Sequence, residues 1–254
     1  MTTRLSGKSA LITGSTSNIG KAIALALAAE GAHVVVSGRD QARGAEVVAE
    51  IESLGGLATF IAADLNGSQA SSHQLATEAV AAVGGRLDIL VNNAGVFPPA
   101  RTLDADEATF DLIYGVNVKA PYFLTQAVVP AMAEAGGGVI INLGSWVVKL
   151  GLGSGALYAS SKGALETLTR AWSSEFAAQN IRVNAISPGV ILDGGHDPAS
   201  PVAPFMAGTP AGVIGSPEAV AQAAVYLASD EASFVHGIVL DVDGGRANVA
   251  VVAS

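Results

Sequence analysis

Tyr158 and Lys162 are the side chains of this sequence whose types and spacing best suit proton transfer. They lie four residues apart in a stretch with helical spacing, so both project from one face of the helix. A free tyrosine has a pKa of about 10, which is too high for acid–base work at pH 7. A neighbouring ammonium group stabilises the phenolate and lowers this pKa. The pair therefore indicates a general acid or base, although the same spacing also arises by chance in helices where it is only structural.

Ser145 and Asn117 are two further polar residues that could assist such chemistry. Ser145 follows a predicted strand, and the carboxyl ends of strands in α/β sheets face the ligand crevice. Its hydroxyl is therefore a candidate hydrogen-bond partner for a substrate oxygen that gains charge. Asn117 lies within a helical stretch, where its amide can hold a water molecule or a backbone carbonyl and so link Lys162 to solvent. A helix cap for the serine and an ordinary buried amide for the asparagine are the simpler alternatives.

A glycine-rich turn, from Thr13 to Gly20, follows the first predicted strand and opens a helix. Glycine lets the backbone approach a pyrophosphate, and the helix N-terminus offers free N–H groups to the phosphates. The turn differs from the P-loop of nucleotide hydrolases, because Gly14 and Gly20 enclose five residues and Ala22, which has no hydroxyl, follows Lys21. It therefore predicts a dinucleotide site, with a purely structural turn as the alternative.

Arg39 closes the second predicted strand and bears on the choice between NAD and NADP. NAD-binding folds usually carry an acidic residue at this strand end, where it holds the ribose 2′-hydroxyl. Gly38 stands there in this sequence, and Arg39 follows it, where a guanidinium can pair with a 2′-phosphate. We therefore expect NADP(H) to be preferred over NAD(H). The alternative is an NAD-preferring alcohol dehydrogenase with a solvated Arg39 beside Asp40.

The elements that must position these residues alternate along the chain. Short apolar runs rich in β-branched residues predict buried parallel strands, and Ala-rich stretches with helical spacing lie between them. The predicted strands are Ser9–Thr13, His33–Ser37, Thr59–Ala62, Ile89–Asn92, Gly138–Leu143, Arg182–Ile186 and Ile238–Val242. The predicted helices are Gly20–Glu30, Gln41–Leu54, Ser68–Val83, Glu107–Ala135, Tyr158–Gln179 and Pro217–Leu227. This alternation predicts an α/β fold with a doubly wound, Rossmann-like, seven-stranded parallel sheet and helices on both faces, in one domain over residues 1–254.

Two stretches break the alternation, 96–105 and 189–216, and each follows a strand at the edge of the sheet where ligands bind. A long loop within a compact domain is usually functional, so 189–216 is the predicted substrate loop. It contains no Arg or Lys to hold a carboxylate or phosphate, and its apolar side chains are Val190, Ile191, Leu192, Val202, Phe205 and Met206. These features predict a neutral, mostly apolar ketone or secondary alcohol as the substrate.

The composition argues against several other classes of protein. The net charge is −9 and the chain has 13 Lys and Arg, which disfavours nucleic-acid partners and anionic membrane surfaces. The absence of cysteine rules out disulfides and thiolate catalysis, and no metal site is predicted. The N-terminus lacks an apolar signal core, and no apolar run reaches the roughly 20 residues that span a bilayer, so we expect a cytoplasmic protein. The charged fraction of 14% is low, which favours contacts with other subunits.

Taken together, these motifs resemble the short-chain dehydrogenase/reductase family over nearly the whole chain, from about Leu5 to Gly245. The resemblance implies that Asp64 contacts the adenine amine and that Asn92-Asn93-Ala94-Gly95 supports the sheet and the adenine ribose. Pro188-Gly189 resembles the family motif beneath the nicotinamide. The cofactor contacts implied in this way are Gly14, Ser15, Thr16, Asn18, Ile19, Gly20, Arg39, Asp64, Leu65, Asn92, Ala94, Gly95, Tyr158, Lys162, Pro188, Gly189 and Ile191.

The same resemblance implies a catalytic tetrad of Asn117, Ser145, Tyr158 and Lys162. Hydride passes between the nicotinamide and the substrate carbon, Tyr158 exchanges a proton with the substrate oxygen, and Ser145 orients that oxygen. Lys162 holds the nicotinamide ribose and lowers the pKa of Tyr158, while Asn117 anchors a water that relays protons. The sequence is similar to the family's 3-oxoacyl-acyl-carrier-protein reductases, and the resemblance implies a homotetramer.

Several positions depart from the family pattern. Gly144 precedes Ser145 where the family frequently has another serine, and the bulky Trp146 follows Ser145. Asn18 stands where the family usually has the second glycine of its turn, and asparagine tolerates left-handed backbone angles better than most residues. Asp193 stands near a position that is often threonine, which touches the nicotinamide carboxamide. A cofactor-binding protein without catalysis is therefore a further alternative, since a fold does not by itself imply an activity. The intact tetrad argues against it.

Overall fold

Seven apolar runs form one parallel sheet in the computed structural model, which describes residues 3–153 and 155–249. Residues 1, 2, 154 and 250–254 of the predicted domain lie outside the described residues. The strands are β1 Ser9–Thr13, β2 His33–Gly38, β3 Leu57–Ala62, β4 Ile89–Asn92, β5 Gly138–Leu143, β6 Ile181–Pro188 and β7 Val239–Val242. Their order is β3-β2-β1-β4-β5-β6-β7, and every neighbouring pair is parallel. The predicted seven-stranded, doubly wound sheet is confirmed.

The helices connect these strands. They are α1 Asn18–Ala29, α2 Gln41–Ser53, α3 Gln69–Ala82, α4 Glu107–Tyr114, α5 Ala120–Glu134, α6 Ala156–Glu175 and α7 Pro217–Ala228. Polar residues just before α2, α3 and α4 accept hydrogen bonds from main-chain N–H groups of the first turn, namely Asp40, Ser68 and Asp106. Such caps satisfy donors that have no partner inside the helix.

The core has two layers, one on each face of the sheet. Successive residues of a strand point to opposite faces, so Ile12 of β1 packs with α1 and α7 while its neighbour Leu11 packs with α3, α5 and α6. Leu27 and Val220 belong to the first layer, and Leu165 belongs to the second. The strands are therefore apolar on both faces, which explains why they read as continuous hydrophobic runs in the sequence.

The predicted helix 107–135 is divided into three parts in the structure. A π-helical segment, Gly115–Lys119, separates α4 from α5 and carries Asn117. Gly115 packs against the backbone of Gly67, where a Cβ atom would lie 2.5 Å from the Gly115 Cα. π-Helical turns are frequent at functional sites. The helical spacing of apolar residues continues across this segment. The sequence pattern therefore did not reveal the change from α-helix to π-helix.

The order of the strands creates a crevice at one edge of the sheet. The chain runs from β1 outwards to β3 and then returns to the other side of β1 with β4, so the connections after β1 and β4 diverge at their carboxyl ends. Ligands of open α/β sheets bind at such a switch point. Among the residues that the structure describes, no helix combines the length and apolar character needed to cross a membrane.

Candidate active site

A cavity of about 550 Å³ occupies the crevice between the ends of β1 and β4. Its walls come from the glycine-rich turn, the end of β2, the segment after β3 and the segment after β4. Of the predicted cofactor contacts, the cavity is lined by Gly14, Thr16, Asn18, Ile19, Gly20, Arg39, Asp64, Leu65, Ala94 and Gly95. The structure thus brings together ten residues that are spread between positions 14 and 95 of the sequence.

The turn after β1 depends on two glycines and on Asn18. Gly14 has a φ of +64°, and a Cβ on Gly20 would lie 2.3 Å from the carbonyl oxygen of Gly14. Only glycine fits so close an approach of two main-chain segments. Asn18 has a φ of +45°, which is the left-handed conformation that asparagine tolerates. The residue that replaces the family glycine therefore keeps the shape of the turn, as the sequence predicts.

Seven predicted cofactor contacts do not line this cavity, and two of them, Ser15 and Asn92, have side chains that are bonded elsewhere. Ser15 is fully buried, where its hydroxyl donates to the Ile12 carbonyl at 2.7 Å and accepts from the Ser37 N–H at 2.9 Å. The Asn92 amide donates to Asn142 Oδ1 on the neighbouring strand at 2.8 Å. Both side chains hold the turn or the sheet rather than facing the crevice, so contact of either residue with the cofactor stays a prediction. The sequence did not reveal which residues of β4 point to which side. In the structure, the Asn92 side chain points towards the neighbouring strand β5.

Asn93, and not Asn92, lies at the wall of the cavity. Its amide donates to the carbonyl oxygens of Thr13 at 2.8 Å and Gly14 at 3.0 Å, and Asn93 lines the cavity. Asn93 therefore joins the end of β4 to the glycine-rich turn across the switch point. The sequence contains both asparagines in the Asn92-Asn93-Ala94-Gly95 motif. Only the structure shows which amide faces the cavity and which faces the neighbouring strand.

Two cations stand at the end of the cavity beside β2. Arg39 and Arg43 both line it, and Arg43 was not singled out in the sequence. The Asp40 carboxylate caps α2 and pairs with Arg43 Nε at 2.7 Å. Arg39 is exposed and has no ion pair among the described residues. Asp40 therefore does not neutralise Arg39, which leaves the Arg39 guanidinium available to an anionic group.

Lys162 is buried close to the main chain of two strand ends. Its Nζ donates a hydrogen bond to the Leu143 carbonyl at 2.8 Å. A Cβ on Gly95 would lie 3.3 Å from this Nζ, so glycine leaves room for the ammonium group beneath the end of β4. Burial lowers the pKa of Lys162 to about 8, and the nearby Glu166 carboxylate opposes that change. The ammonium form therefore still predominates at pH 7.

Asn117 connects the π-helical segment to the segment after β4 and to α6. Its Oδ1 accepts from the Val96 N–H at 2.8 Å, and its Nδ2 donates to the Val96 carbonyl at 2.9 Å and to Ser161 Oγ at 3.0 Å. Ser161 in turn donates to the Tyr158 carbonyl at 2.7 Å. The amide thereby holds the start of α6, which carries the tyrosine. Both of its N–H donors are engaged, so only Oδ1 retains an acceptor position.

Tyr158 lies in the first turn of α6, and its side chain faces Ser145 at the end of β5. Burial raises the pKa of Tyr158, and the interaction with the Ser145 hydroxyl lowers it by less. The Lys162 Nζ is 5.9 Å from the centre of the tyrosine ring. Burial therefore dominates the pKa of Tyr158, and the lowering of this pKa by Lys162 stays a prediction. Phe97 packs against the tyrosine ring with a centroid separation of 5.9 Å.

Two aromatic rings lie together next to Ser145. Trp146 follows Ser145 and packs against Phe205 of the 189–216 loop, with ring centroids 6.1 Å apart. Arg246, which the sequence did not single out, lies over Trp146 at 5.4 Å from the ring centre. This arginine approaches from near the end of the described chain, so no local pattern around Ser145 could have predicted it.

A second cavity, of about 290 Å³, lies beneath the 189–216 loop. The predicted contacts Gly189 and Ile191 line it, while Pro188 is the last residue of β6. A Cβ on Gly189 would lie 2.7 Å from the Asp243 Cα, so this glycine permits a close approach of two segments. The loop is ordered by a bridge between Ile191 and Gly215. Most of the other lining groups are apolar or small, among them Val190, Met206, Ala211, Val213 and Val242.

The residues around the larger cavity fit a nicotinamide dinucleotide. The glycine cradle and the N-terminus of α1 suit a pyrophosphate, Asp64 and Leu65 suit the adenine end, and the buried ammonium of Lys162 lies beyond Gly95. The fold and the site together define a dinucleotide-binding oxidoreductase of the Rossmann-like class.

Comparison with known proteins agrees with this class. A family profile described as enoyl-(acyl carrier protein) reductase matches residues 14–247. The 3-oxoacyl-[acyl-carrier-protein] reductase of Thermotoga maritima is 38% identical over 248 residues, covering 95% of this chain and 98% of that protein. The chain belongs to the short-chain dehydrogenase/reductase family and is an NAD(P)-dependent oxidoreductase of that family.

Solved structures are similar over nearly their whole length. A 7α-hydroxysteroid dehydrogenase complexed with NADH and 7-oxo glycochenodeoxycholic acid has a TM-score of 0.89 at 39% identity, with 96% of each chain covered. A protein from Beutenbergia cavernae described as an NAD(P)-dependent gluconate 5-dehydrogenase, with bound NADP, has a TM-score of 0.87 at 37% identity, covering 97% of this chain and 99% of that one. The similar structures thus include both an NADH complex and an NADP complex.

Proposed function

We propose that this protein transfers a hydride between NADP(H) and a neutral, mostly apolar ketone or secondary alcohol, with Tyr158 as the general acid or base. The observation that carries the proposal is the meeting of Tyr158, Ser145 and Lys162 at the carboxyl edge of the sheet, beside a cavity that suits a dinucleotide. When bound, the nicotinamide supplies or accepts the hydride. The protein's own residues position the substrate oxygen and manage its proton.

Tyr158 and Ser145 act on the substrate oxygen. In the reducing direction, the Tyr158 phenol donates its proton to the oxygen while the Ser145 hydroxyl hydrogen-bonds it and stabilises the developing charge. Burial raises the pKa of Tyr158 in the protein without cofactor, which favours the protonated phenol. The protonated phenol is the form that can donate a proton during carbonyl reduction.

Lys162 and Asn117 support that proton transfer. With a pKa of about 8, Lys162 is mostly an ammonium ion at pH 7. One of its N–H donors binds the Leu143 carbonyl, and the other two remain for the cofactor ribose. Asn117 holds Val96 and Ser161 and thereby the start of α6. Its Oδ1 retains one acceptor position, which would hold the water of a proton relay.

NADP(H) is the proposed cofactor because of the charges at the end of β2. Arg39 is exposed at the cavity wall, and the carboxylate of the next residue, Asp40, is paired with Arg43. A guanidinium without a partner is well suited to a 2′-phosphate. The second candidate is an NAD-preferring alcohol dehydrogenase. The NADH complex of the similar 7α-hydroxysteroid dehydrogenase favours that candidate.

The proposed substrate class rests on the residue that follows Ser145 and on the composition of the 189–216 loop. Phe205 and Trp146 form an aromatic wall, and the 189–216 loop contributes apolar side chains and two carboxylates, Asp193 and Asp197, but no Arg or Lys. An anionic substrate would therefore meet repulsion from the loop. Arg246 is the one cation that the described residues bring to Trp146, and its guanidinium lies on the indole ring, where cation–π attraction already engages it.

The experiment that tests the proposal is a fluorescence titration of the purified protein with NADPH and NADH, followed by a screen of neutral ketones with the preferred cofactor. We expect NADPH to bind more tightly and at least one neutral ketone to oxidise it. Tight binding of NADH alone would favour the second candidate, an NAD-preferring alcohol dehydrogenase. Binding of NADPH without turnover of any ketone or alcohol would indicate a cofactor-binding protein that lacks catalysis.

A further inference from the structure

Glu166 is a buried acid that the proposed chemistry does not use. It lies on α6 four residues after Lys162, so the two side chains share one face of the helix. Only 5% of Glu166 is exposed, and its Oε1 has no hydrogen-bond partner among the described residues. Burying a carboxyl with an unpaired oxygen is costly. A group held at that cost next to the catalytic tetrad calls for a physical reason.

The carboxyl of Glu166 packs on the main chain immediately before Ser145. A Cβ on Gly144 would lie 2.7 Å from Glu166 Oε1 and 3.2 Å from its Cγ, so the acid occupies the space that a side chain at position 144 would take. The main-chain N–H of Ser145 is close enough to the same carboxyl to lower its pKa. From the other side, the Gly144 N–H donates to the Ile186 carbonyl at 2.7 Å. The strand end is therefore held between β6 and Glu166.

The charges that face Glu166 come from three elements. Arg170 lies on α6, one turn further on, and Lys149 follows Ser145 in the next turn of chain. Asp241 of β7 also faces it and is itself paired with Lys149. Burial and Asp241 raise the pKa of Glu166, while the Ser145 N–H, Lys149 and Arg170 lower it. In turn, the ionised Glu166 raises the pKa of Lys162.

We propose that Glu166 is a positioning residue whose buried carboxyl fixes the Gly144–Ser145 strand end and thereby the direction of the Ser145 hydroxyl. It touches neither substrate nor cofactor and acts through Ser145, and through its charge on Lys162. The inference rests on the proposed function, because it concerns the geometry of the serine that binds the substrate oxygen. A displacement of about 1 Å in such a group can lower a rate by about a hundredfold.

Two variants and one control separate positioning from stability. Glu166→Leu keeps most of the bulk but removes both acceptors, and Glu166→Gln keeps an acceptor but no charge. Glu175→Gln, on the exposed last turn of α6, is the matched control. We expect Glu166→Leu to lower kcat for NADPH-dependent ketone reduction about tenfold or more, with NADPH affinity within about twofold of wild type. We expect Glu166→Gln to retain most of kcat at pH 7.

The dependence of the reduction rate on pH is a further test, because a purely structural role of Glu166 would leave it unchanged. Removal of a negative charge disfavours the protonated forms of both Lys162 and Tyr158. The alkaline limb of the reduction profile should therefore lie at lower pH in Glu166→Gln than in wild type, and should not move in Glu175→Gln. Unchanged kcat in Glu166→Leu, or an alkaline limb in Glu166→Gln that coincides with the control, would overturn the proposal.

A double-mutant cycle of thermal unfolding tests the contact without any substrate. Gly144→Ala should lower the Tm of the wild-type protein, because its Cβ would meet Glu166 Oε1 at 2.7 Å. The same change should cost much less in a Glu166→Ala background, where the space is free. Equal losses of Tm in the two backgrounds would disprove the contact and the inference with it. Absence of turnover in the wild type would instead contradict the proposed function, so the two failures are distinguishable.

Discussion

The Lys162 Nζ donates a hydrogen bond to the main-chain carbonyl of Leu143 at 2.8 Å, so the lysine is tied to the end of β5 two residues before Ser145. This contact joins the helix that carries Tyr158 to the strand that carries Ser145. It also explains how an ammonium group is kept in a buried position, since a charged donor is satisfied by a main-chain acceptor. The relative placement of tyrosine and serine thus depends on a lysine that is held by the protein itself.

Replacement of Lys162 by methionine should change how stability depends on pH. The pKa of Lys162 in the folded protein, about 8, is below its value of 10.5 in an exposed environment. As the pH rises through this interval, the unfolded chain binds more protons than the folded protein, so the wild type gains stability. The gain between pH 7 and pH 10 is on the order of 3 kcal/mol.

This gain is measured by urea unfolding of the wild type and of Lys162→Met at several pH values, with Lys119→Met as the control because Lys119 is exposed. The free energy of unfolding of Lys162→Met should lack the rise seen in the wild type. Parallel pH curves for the wild type and Lys162→Met would show that the lysine is not destabilised by burial.

Tyr158→Phe should remove most of the turnover and leave cofactor binding intact. The phenol is the proposed proton donor, and positioned general acids contribute about a hundredfold to ten-thousandfold. The ring would keep its contact with Phe97, so the fold should not change. Steady-state kinetics and an NADPH fluorescence titration of the same preparation check both parts. A variant that retains kcat within about threefold would remove Tyr158 from the mechanism.

Arg39→Ala should weaken NADPH binding while affecting NADH little. The loss is expected to be about tenfold to a hundredfold, which is typical of a charge-assisted hydrogen bond to a phosphate. Arg170→Ala, an exposed arginine on α6, serves as the control. Fluorescence titrations with both cofactors measure the effect. Equal weakening of NADPH and NADH would mean that Arg39 does not contact the 2′-phosphate.

Neutral ketones should be reduced with a higher kcat/KM than carboxylate-bearing ketones of similar size. The 189–216 loop presents Asp193 and Asp197 and no cation, and Phe205 and Trp146 offer an apolar wall. A paired substrate screen measures the ratio. If carboxylates are preferred and Arg246→Gln abolishes that preference, the cation over Trp146 selects the substrate and the neutral class is wrong.

We also predict an assembly larger than a monomer, with a homotetramer expected. Phe234 is 100% exposed and Leu103 is 97% exposed, and large apolar side chains in full contact with water are usually covered by a partner. Light scattering of the wild type at micromolar concentration measures the mass. Phe234→Asp should give a smaller species if that side chain lies in a subunit contact. A monomeric wild type would refute the prediction.

The sequence by itself determined the fold and predicted the members of the proposed tetrad. Strand and helix periods are local properties, and a parallel sheet buried on both faces shows itself in short apolar runs. The motif order therefore predicted the β1–α1 turn, the seven strands and the four residues Asn117, Ser145, Tyr158 and Lys162. Even the left-handed Asn18 could be predicted, because its conformation follows from the turn that contains it.

Only the tertiary structure decided which way side chains point and which distant groups meet. Whether Asn92 or Asn93 faces the cavity depends on the pleat of β4. Arg246 reaches Trp146 across 100 residues of sequence, and Glu166 reaches Gly144 only because α6 packs on β5. The raised pKa of Tyr158 likewise reflects burial, which is a property of the packed protein and not of the Tyr-x-x-x-Lys spacing.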